Sequence, residues 1–302
     1  MKRTRKSLRY VLITPARNEA QFIERTLISV VQQTALPAKW VVVSDGSTDG
    51  TDEIVKGYCA RYDWIQLVRM PERKERHFAG KVWAFNAGFQ RIKHLRYDFL
   101  GSLDADISFD SGYFDFLLQQ FTQDPTLGVA GTPFREGIVQ YNYRFSRKEH
   151  VSGACQLFRR ECFESIGGYV PLKGGAIDLV AVVTARMRGW KTETFTGKVC
   201  IHHRRMGSAK DRVLVGAFRS GYGDYRMGVH PLWQTLRSAY QMGREPLILG
   251  GSALMAGYLW ALLSLASKPV SQEFVSFRRR EQMLWLKGYL KTLVRSFGRF
   301  PS

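Results

Sequence analysis

Through the first hundred residues, short apolar runs rich in β-branched side chains alternate with segments of helical period. Residues 10–14, 40–44, 65–68 and 99–103 read as strands, and residues 20–33, 51–61 and 81–92 between them read as helices. In the first helical segment Phe22, Ile23, Leu27, Val30 and Val31 recur at three- and four-residue spacing, which places them on one helix face. Strand–helix alternation with short connectors leaves few architectures. Its strands must run parallel and be joined by right-handed crossovers, the α/β class. Ligands of such sheets bind at the carboxyl ends of the strands.

Polar residues collect at those ends. The first strand finishes in Thr14-Pro15-Ala16-Arg17-Asn18-Glu19 and the second in Ser44-Asp45-Gly46-Ser47-Thr48-Asp49-Gly50-Thr51. The fourth finishes in Asp104-Ala105-Asp106. Burying unpaired carboxylates is costly, so packing alone gives a strand no reason to end in two. A divalent cation shared with phosphate oxygens supplies a reason, and hard oxygen ligands suit Mg²⁺ or Mn²⁺. Alone the pair is a weak signal, because Asx turns use the same residues. Ser47, Thr48 and Asp49 read as turn chemistry, with Asp49 placed to cap the next helix. Asp45, directly at a strand end, suits binding and turn equally.

Taken in order, these residues resemble the inverting glycosyltransferases of family 2, which have a GT-A fold. The carriers are Pro15-Ala16-Arg17-Asn18-Glu19, Ser29-Val30-Val31-Gln32-Gln33, Val41 through Thr51, Gly80-Lys81 with Asn86-Ala87-Gly88, and Asp104-Ala105-Asp106. The resemblance runs from about Tyr10 to about His203. It implies a Rossmann-like, mostly parallel central sheet with flanking helices, binding a UDP- or GDP-sugar donor. Pro15, Ala16, Arg17, Glu19 and Asp45 would line the nucleotide pocket, with Asp45 accepting a hydrogen bond from the base. Lys81 would approach the diphosphate or ribose, although a solvated first-turn lysine is the plain alternative. Asp104 and Ala105 would sit near the ribose, Asp104 also near the metal, and Asp106 would be the principal ligand of Mg²⁺ or Mn²⁺. Such chemistry is coherent: a departing nucleoside diphosphate gathers negative charge, which a cation and a lysine stabilise.

The acceptor side follows. Ser152 through Phe158 and Ile166-Gly167-Gly168-Tyr169 resemble the family's strand and helix beneath the acceptor site. In Gly174-Gly175-Ala176-Ile177-Asp178-Leu179, Asp178 stands eleven residues before Gly189, the spacing of the family's general base. Family members usually carry Glu before that Asp; this chain carries Ile177. A sugar hydroxyl is barely acidic, so a positioned carboxylate is worth about 10²–10⁴-fold in rate. The alternative is that Asp178 caps a helix beginning at Leu179. His202 or His203 would complete the metal shell, unless both are ordinary surface histidines. Arg204, Arg205 and Lys210 are further candidates to close over a diphosphate. The Gln-x-x-Arg-Trp motif of processive members is absent, since Gln241-Met242-Gly243-Arg244 ends in Glu245. Transfer of single sugars is therefore expected.

The formal charge of +19 calls for an anionic partner. Basic residues concentrate at the N-terminus, in 202–226 and after Lys268. A nucleic-acid binder is the rival reading, but neither a helix-turn-helix nor aromatic residues interleaved with basic ones accompany the charge, so no nucleic-acid partner is expected. A catalytically inactive donor-binding subunit is the other rival, raised by Ile177. No charge occurs in residues 246–267, close to the roughly 20 residues that span a bilayer. Beyond it Met283, Leu286, Leu290, Leu293 and Phe297 share a helical face opposite Lys287, Lys291 and Arg295, as in a basic helix lying on anionic lipid. The expected organisation is a basic tail (1–8), a catalytic domain (9–230, with donor half 9–106 and acceptor half 107–230) and a helical membrane-associated region (231–302). Four scattered cysteines with no CxxC read as buried thiols of a reducing compartment, and no secretory signal peptide is recognised. The expected place is the cytoplasmic face of the inner membrane, peripheral, re-entrant or single-pass, acting on a saccharide or lipid-linked acceptor.

Overall fold

The computed structural model describes residues 8–73, 75, 77–136, 139–140, 148–204 and 210–297. The chain divides into two compact units, Met1–Arg205 and Met206–Ser302. The division expected at 230/231 falls inside the second unit. All of the basic tail except Leu8 lies outside the described residues.

In the first unit the elements β1 (Tyr10–Ala16), α1 (Ile23–Val31), β2 (Lys39–Asp45), α2 (Thr51–Cys59), β3 (Ile65–Met70), α3 (Ala79–Ile92) and β4 (Phe99–Leu103) follow the alternation of the sequence. Then come β5 (Ile107–Ser108), α4 (Tyr113–Gln123), β6 (Leu127–Gly131), β7 (Phe134–Glu136), β8 (Val139–Gln140), β9 (Cys155–Arg159), α5 (Arg160–Ser165), α6 (Ile177–Met187), β10 (Lys191–Thr194) and β11 (Cys200–His202). A seven-stranded sheet has the order β10-β6-β9-β4-β1-β2-β3. β1 pairs in parallel with β2 and β4, and β9 runs antiparallel to β4 and β6. Val11, Leu12, Ile13, Trp40, Val41, Val42 and Val43 are wholly buried, the unbroken apolar pattern of strands covered on both faces.

The chain leaves β1 for β2 on one side and reaches β4 on the other. A crevice therefore opens where β1, β2 and β4 end, in Ala16, Asp45 and Leu103. A second sheet, β5-β11-β7-β8, bears on the same edge. Its register sets His202 opposite Ile107 on one side and Glu136 on the other, next in sequence to the Asp106 turn. All four cysteines are free, with Cys155, Cys162 and Cys200 buried and Cys59 half-buried.

The second unit is helical: α7 (Lys210–Arg226), α8 (Pro231–Met242), α9 (Leu249–Leu263) and α10 (Gln272–Phe297). The uncharged run of 246–267 yields only the 15-residue α9, because residues with left-handed backbone, Ile248 and Leu265, bracket it. Such a helix is about 22 Å long against a hydrocarbon core of about 30 Å. Among the described residues no helix is long and apolar enough to cross a membrane.

Glycines let these helices approach closely. A Cβ on Gly257 of α9 would strike the carbonyl oxygen of Phe218 in α7, and one on Gly221 of α7 would strike that of Leu254 in α9. Gly257→Ala should therefore force the pair apart and lower stability by about 1–3 kcal/mol, the usual cost of overpacking. Urea unfolding measures it; an unchanged midpoint would refute the close crossing.

Candidate active site

One wall of the crevice is a zipper between the loops after β1 and β2. The N–H of Asn18 donates to Ser47 Oγ (3.1 Å), that of Glu19 to Thr51 Oγ1 (2.8 Å) and that of Ala20 to Asp49 Oδ2 (3.0 Å). In return Thr48 N–H donates to Asn18 Oδ1 at 2.9 Å. Burial works against the charge of Asp49, but hydrogen bonds from Thr51 and Ala20 outweigh it and hold the carboxyl below its usual range. Ser47, Thr48 and Asp49 thus do structural work. Pro15 and Ala16 close β1 beneath them, Ala16 fully buried.

Asp45 ends β2 and is 5% exposed. Arg73 grips it with two nitrogens, Nε at 3.0 Å from Oδ1 and Nη2 on Oδ2, while Arg17 Nη1 stands 3.8 Å from Oδ2. Arg73 also lies over the Trp83 ring at 4.9 Å, and Arg17 donates to its carbonyl at 2.6 Å. A carboxylate and two guanidinium groups are held together where a base would be read.

Lys81, in the first turn of α3, is paired with Asp104 rather than solvated, and lies 3.5 Å from the carbonyl oxygen of Gly153. Asp104 is fixed from behind by its N–H, which donates to the Ala154 carbonyl at 2.9 Å. Ala105 and Asp106 are both buried, Asp106 to 7% exposure. Burial pushes the Asp104 carboxyl up, Lys81 pulls it back, and the nearby Asp106 charge leaves it above its usual range. Burial also opposes the Lys81 charge, but Asp104, Asp178 and Asp106 together hold its pKa above the ordinary value. Three carboxylates, two from the turn after β4 and one from α6, therefore act on one ammonium.

Asp106 Oδ2 accepts from Arg204 Nε at 3.2 Å and faces His202 Nε2 at 3.5 Å. Arg204 reaches Glu19 Oε2 with Nη2. On the other side of the ring, His202 Nδ1 is 2.9 Å from the Arg204 carbonyl oxygen and 3.5 Å from Glu136 Oε1. Those acceptors assign the ring proton to Nδ1 and turn the Nε2 lone pair toward Asp106. Two acceptors facing each other at that distance suit a cation between them, and a His whose far N–H is held by a carbonyl and a carboxylate is arranged as metal ligands are. Among the described residues no group of three or more His, Cys, Asp or Glu side chains forms a complete shell. Mg²⁺ and Mn²⁺ sites commonly take one or two protein ligands and finish with phosphate oxygens and water. Asp106 with His202 fits such a cation.

His203 has a different role. Its Nδ1 is 2.9 Å from Arg25 Nη1, its Nε2 is 2.8 Å from Ser108 Oγ, and its N–H donates to the Asp106 carbonyl at 2.9 Å. Neighbouring residues of an extended segment point to opposite sides, so two adjacent histidines do not share one ion there. His203 braces the Asp106 turn. Arg205 lies outside the described residues, and of Lys210 only its place at the start of α7 is described.

Asp178 is the second residue of α6, which starts at Ile177 after a left-handed Ala176 (φ 63°). A helix beginning at Leu179 with Asp178 as its cap is therefore not what forms. Gly153 makes room for it: a Cβ there would lie 3.0 Å from the Asp178 Cβ, Cγ and Oδ2. Gln156 donates to the Asp178 carbonyl at 3.4 Å and accepts from the Tyr169 hydroxyl at 2.7 Å, bracing the start of α6. Ile177 is buried, which accounts for an apolar side chain at that position.

Arg73 and Glu136 were missed by the sequence reading. Arg73 sits in the charged run Glu72-Arg73-Lys74-Glu75-Arg76, which looks like a solvated loop, and only the register of β7 against β11 singles out Glu136.

The model of the family described as Glycosyl transferase family 2 matches residues 11–174. Poly-beta-1,6-N-acetyl-D-glucosamine synthase of Staphylococcus aureus (strain COL) is 33% identical over 117 residues, 38% of this chain and 26% of the synthase. The corresponding synthase of Staphylococcus epidermidis is 30% identical over 117 residues, with the same coverage, so the match spans about a quarter of each synthase. Among solved structures, the mannosyltransferase PcManGT from Pyrobaculum calidifontis, in complex with GDP-Man and Mn²⁺, superposes with a TM-score of 0.54 at 22% identity, covering 94% of this chain and 80% of that one. S. aureus TarS 1-349 in complex with UDP-GlcNAc gives 0.56 at 15% identity, covering 90% and 78%. These likenesses establish the GT-A-like α/β fold with further C-terminal helices.

Burial, then the Asp106 charge, pushes the Glu19 carboxyl up, and Arg204 only partly pulls it back. A carboxyl raised in the folded state costs stability at neutral pH, and the cost is relieved as pH falls through the raised pKa. Glu19→Gln mimics the protonated acid. It should melt at a higher temperature than wild type at pH 7.5, with a gap that closes on acidification; a lower melting temperature at pH 7.5 contradicts this electrostatic account.

Proposed function

The chain belongs to glycosyl transferase family 2; on that premise we propose that it uses a nucleotide sugar and moves one sugar at a time, with inversion, from a uridine or guanosine diphosphosugar to a hydroxyl of a lipid-linked or growing saccharide. The observation that carries this reading is geometric: Lys81 pairs with Asp104 and lies 3.5 Å from the carbonyl oxygen of Gly153, the residue against which the Asp178 side chain packs, at the carboxyl edge of the sheet. GDP-Man and UDP-GlcNAc in the two structural relatives support the choice of donor class.

Asp45, with Arg17 and Arg73, receives the base. Lys81 donates to the diphosphate, and Arg204, already at Asp106 and Glu19, is within the same cluster to close over it. Asp106 and His202 would hold Mg²⁺ or Mn²⁺, which when bound supplies positive charge to the departing diphosphate. Asp178 takes the proton of the acceptor hydroxyl as its oxygen forms the bond to the anomeric carbon. The electrons of the broken carbon–oxygen bond leave with the nucleoside diphosphate. One base opposite the leaving group makes this a single in-line displacement, hence inversion. We place the reaction at the cytoplasmic face of a membrane, in exopolysaccharide or envelope-glycan assembly, where cytosolic sugar nucleotides are available.

Asp178→Asn should lower transfer by about 10²–10⁴-fold while donor affinity by calorimetry is kept. Turnover at the wild-type rate would remove Asp178 as the base. A panel of uridine and guanosine sugars with Mn²⁺ should yield one donor that raises the melting temperature and is transferred or slowly hydrolysed, with both effects lost in Asp106→Asn. A donor that binds and is never turned over by wild type would instead identify an inactive binding subunit.

A further inference from the structure

In the second unit Tyr225, Val229, Tyr258 and Ala261 form a small core, but α8 and α9 send much of their large apolar surface outward. In α8, Gln234 and Ser238 are buried, 0% and 1% exposed, and their side-chain polar atoms find no hydrogen-bond partner among the described residues. The same helix turns Leu232, Leu236 and Tyr240 outward, at the i, i+4, i+8 spacing of one face. In α9 the buried face carries Gly250, Gly251, Leu254, Gly257, Tyr258 and Ala261, four of them glycine or alanine. Its outer face carries the large residues, with Trp260 60% and Leu263 79% exposed. Between the two helices Leu247, Ile248 and Leu249 are exposed in succession. A helix pair in water does the opposite, burying large apolar side chains and exposing polar ones. Small residues at the crossing with large apolar ones outside is the arrangement of helices solvated by lipid.

We propose that α8 and α9 lie in the plane of an anionic membrane, sunk into one leaflet with the Leu247–Leu249 turn and the Trp260–Leu263 face in the acyl region. Three observations choose this occupant. α9 is too short to cross, yet it carries no charge and is apolar on every side, so the side its neighbours leave open calls for an apolar phase. Residues 206–302 contain fourteen Lys or Arg against five Asp or Glu, which complements an anionic headgroup layer. A second copy would bring that same positive charge against itself. Arg244 lies over the Tyr240 ring at 4.5 Å, an aromatic–guanidinium pair suited to the headgroup level. The inference rests on the membrane placement proposed above and deepens it to a one-leaflet, non-spanning mode.

Flotation of the full chain with vesicles tests it. Wild type should float with phosphatidylcholine–phosphatidylglycerol vesicles and much less with phosphatidylcholine alone. Trp260→Asp combined with Leu263→Asp should weaken flotation by about tenfold or more, with melting temperature and donor hydrolysis unchanged. Both side chains are exposed, so the fold does not depend on them. Equal flotation of variant and wild type overturns the proposal, as does wild type that stays unbound. A wild-type dimer in sedimentation velocity that the variant breaks, with flotation unaffected, would assign the face to a second copy instead. Donor hydrolysis without vesicles tests the transfer chemistry separately: its absence in wild type sinks that chemistry and leaves the flotation result standing.

Discussion

Everything at the site depends on the charge balance around Lys81. Asp104 and Asp106 sit at the carboxyl end of a buried strand, and Asp178 approaches from the start of α6. Left to themselves these carboxylates would repel one another and resist burial. Lys81 offsets them from one side and Arg204 from the other. Removing one member of a buried pair typically costs about 3–5 kcal/mol; the figure is smaller at Lys81, whose side chain is about a third exposed. The balance is incomplete, since both Asp104 and Glu19 keep raised carboxyl pKa values. A site with negative charge in excess of its own cations has a physical use for one more cation, and a nucleotide diphosphate is the anion that such a cation would bring with it.

The scaffold makes that excess tolerable by fixing the backbone first. The Asp49 carboxylate and the Ser47 and Thr51 hydroxyls tie the loop after β2 to the loop after β1, and neither Arg17 nor Glu19 spends its charge on the task. His203, locked between Arg25 and Ser108, holds the Asp106 carbonyl so that His202 can face the carboxylate. Gly153 admits the Asp178 side chain beside the carbonyl that Lys81 approaches. In each case a residue without reactive chemistry sets the angle of one that has it.

The strand–helix order from Tyr10 to Leu103 was legible because β1 and β2 are built on the continuous apolar runs 10–13 and 40–43 and α1 repeats at helical spacing. Both signals are local. That Asp45, Asp104 and Asp106 share one edge was legible because the strands of such a sheet end on the same side, whatever the details of packing. What remained hidden was long-range. Arg73 reaches Asp45 across 28 positions, and Arg204 reaches Glu19 across 185. Which histidine faces Asp106 depends on the register of a three-residue strand, where one position exchanges the two rings. The start of α6 was placed two residues late because a left-handed Ala176, rather than Asp178, precedes the helix.

The C-terminal unit is less legible from composition for a different reason. An uncharged run of 246–267 suggests a membrane span, but hydropathy averages over all sides of a helix, whereas α8 and α9 are organised by which side is small. Glycines at the α7–α9 crossing bring backbones together, and Tyr225 and Tyr258 pack edge-on beside them. Other large apolar residues are outward, and in water that surface would be a cost with no compensating contact. The unit's stability must therefore depend on its surroundings more than that of the first unit, where Trp40, Leu12 and their neighbours are wholly enclosed. On the placement proposed above, an apolar phase on one side would lower the cost of the exposed face without asking any helix to cross it, and the cationic surplus of the same unit would favour an anionic surface.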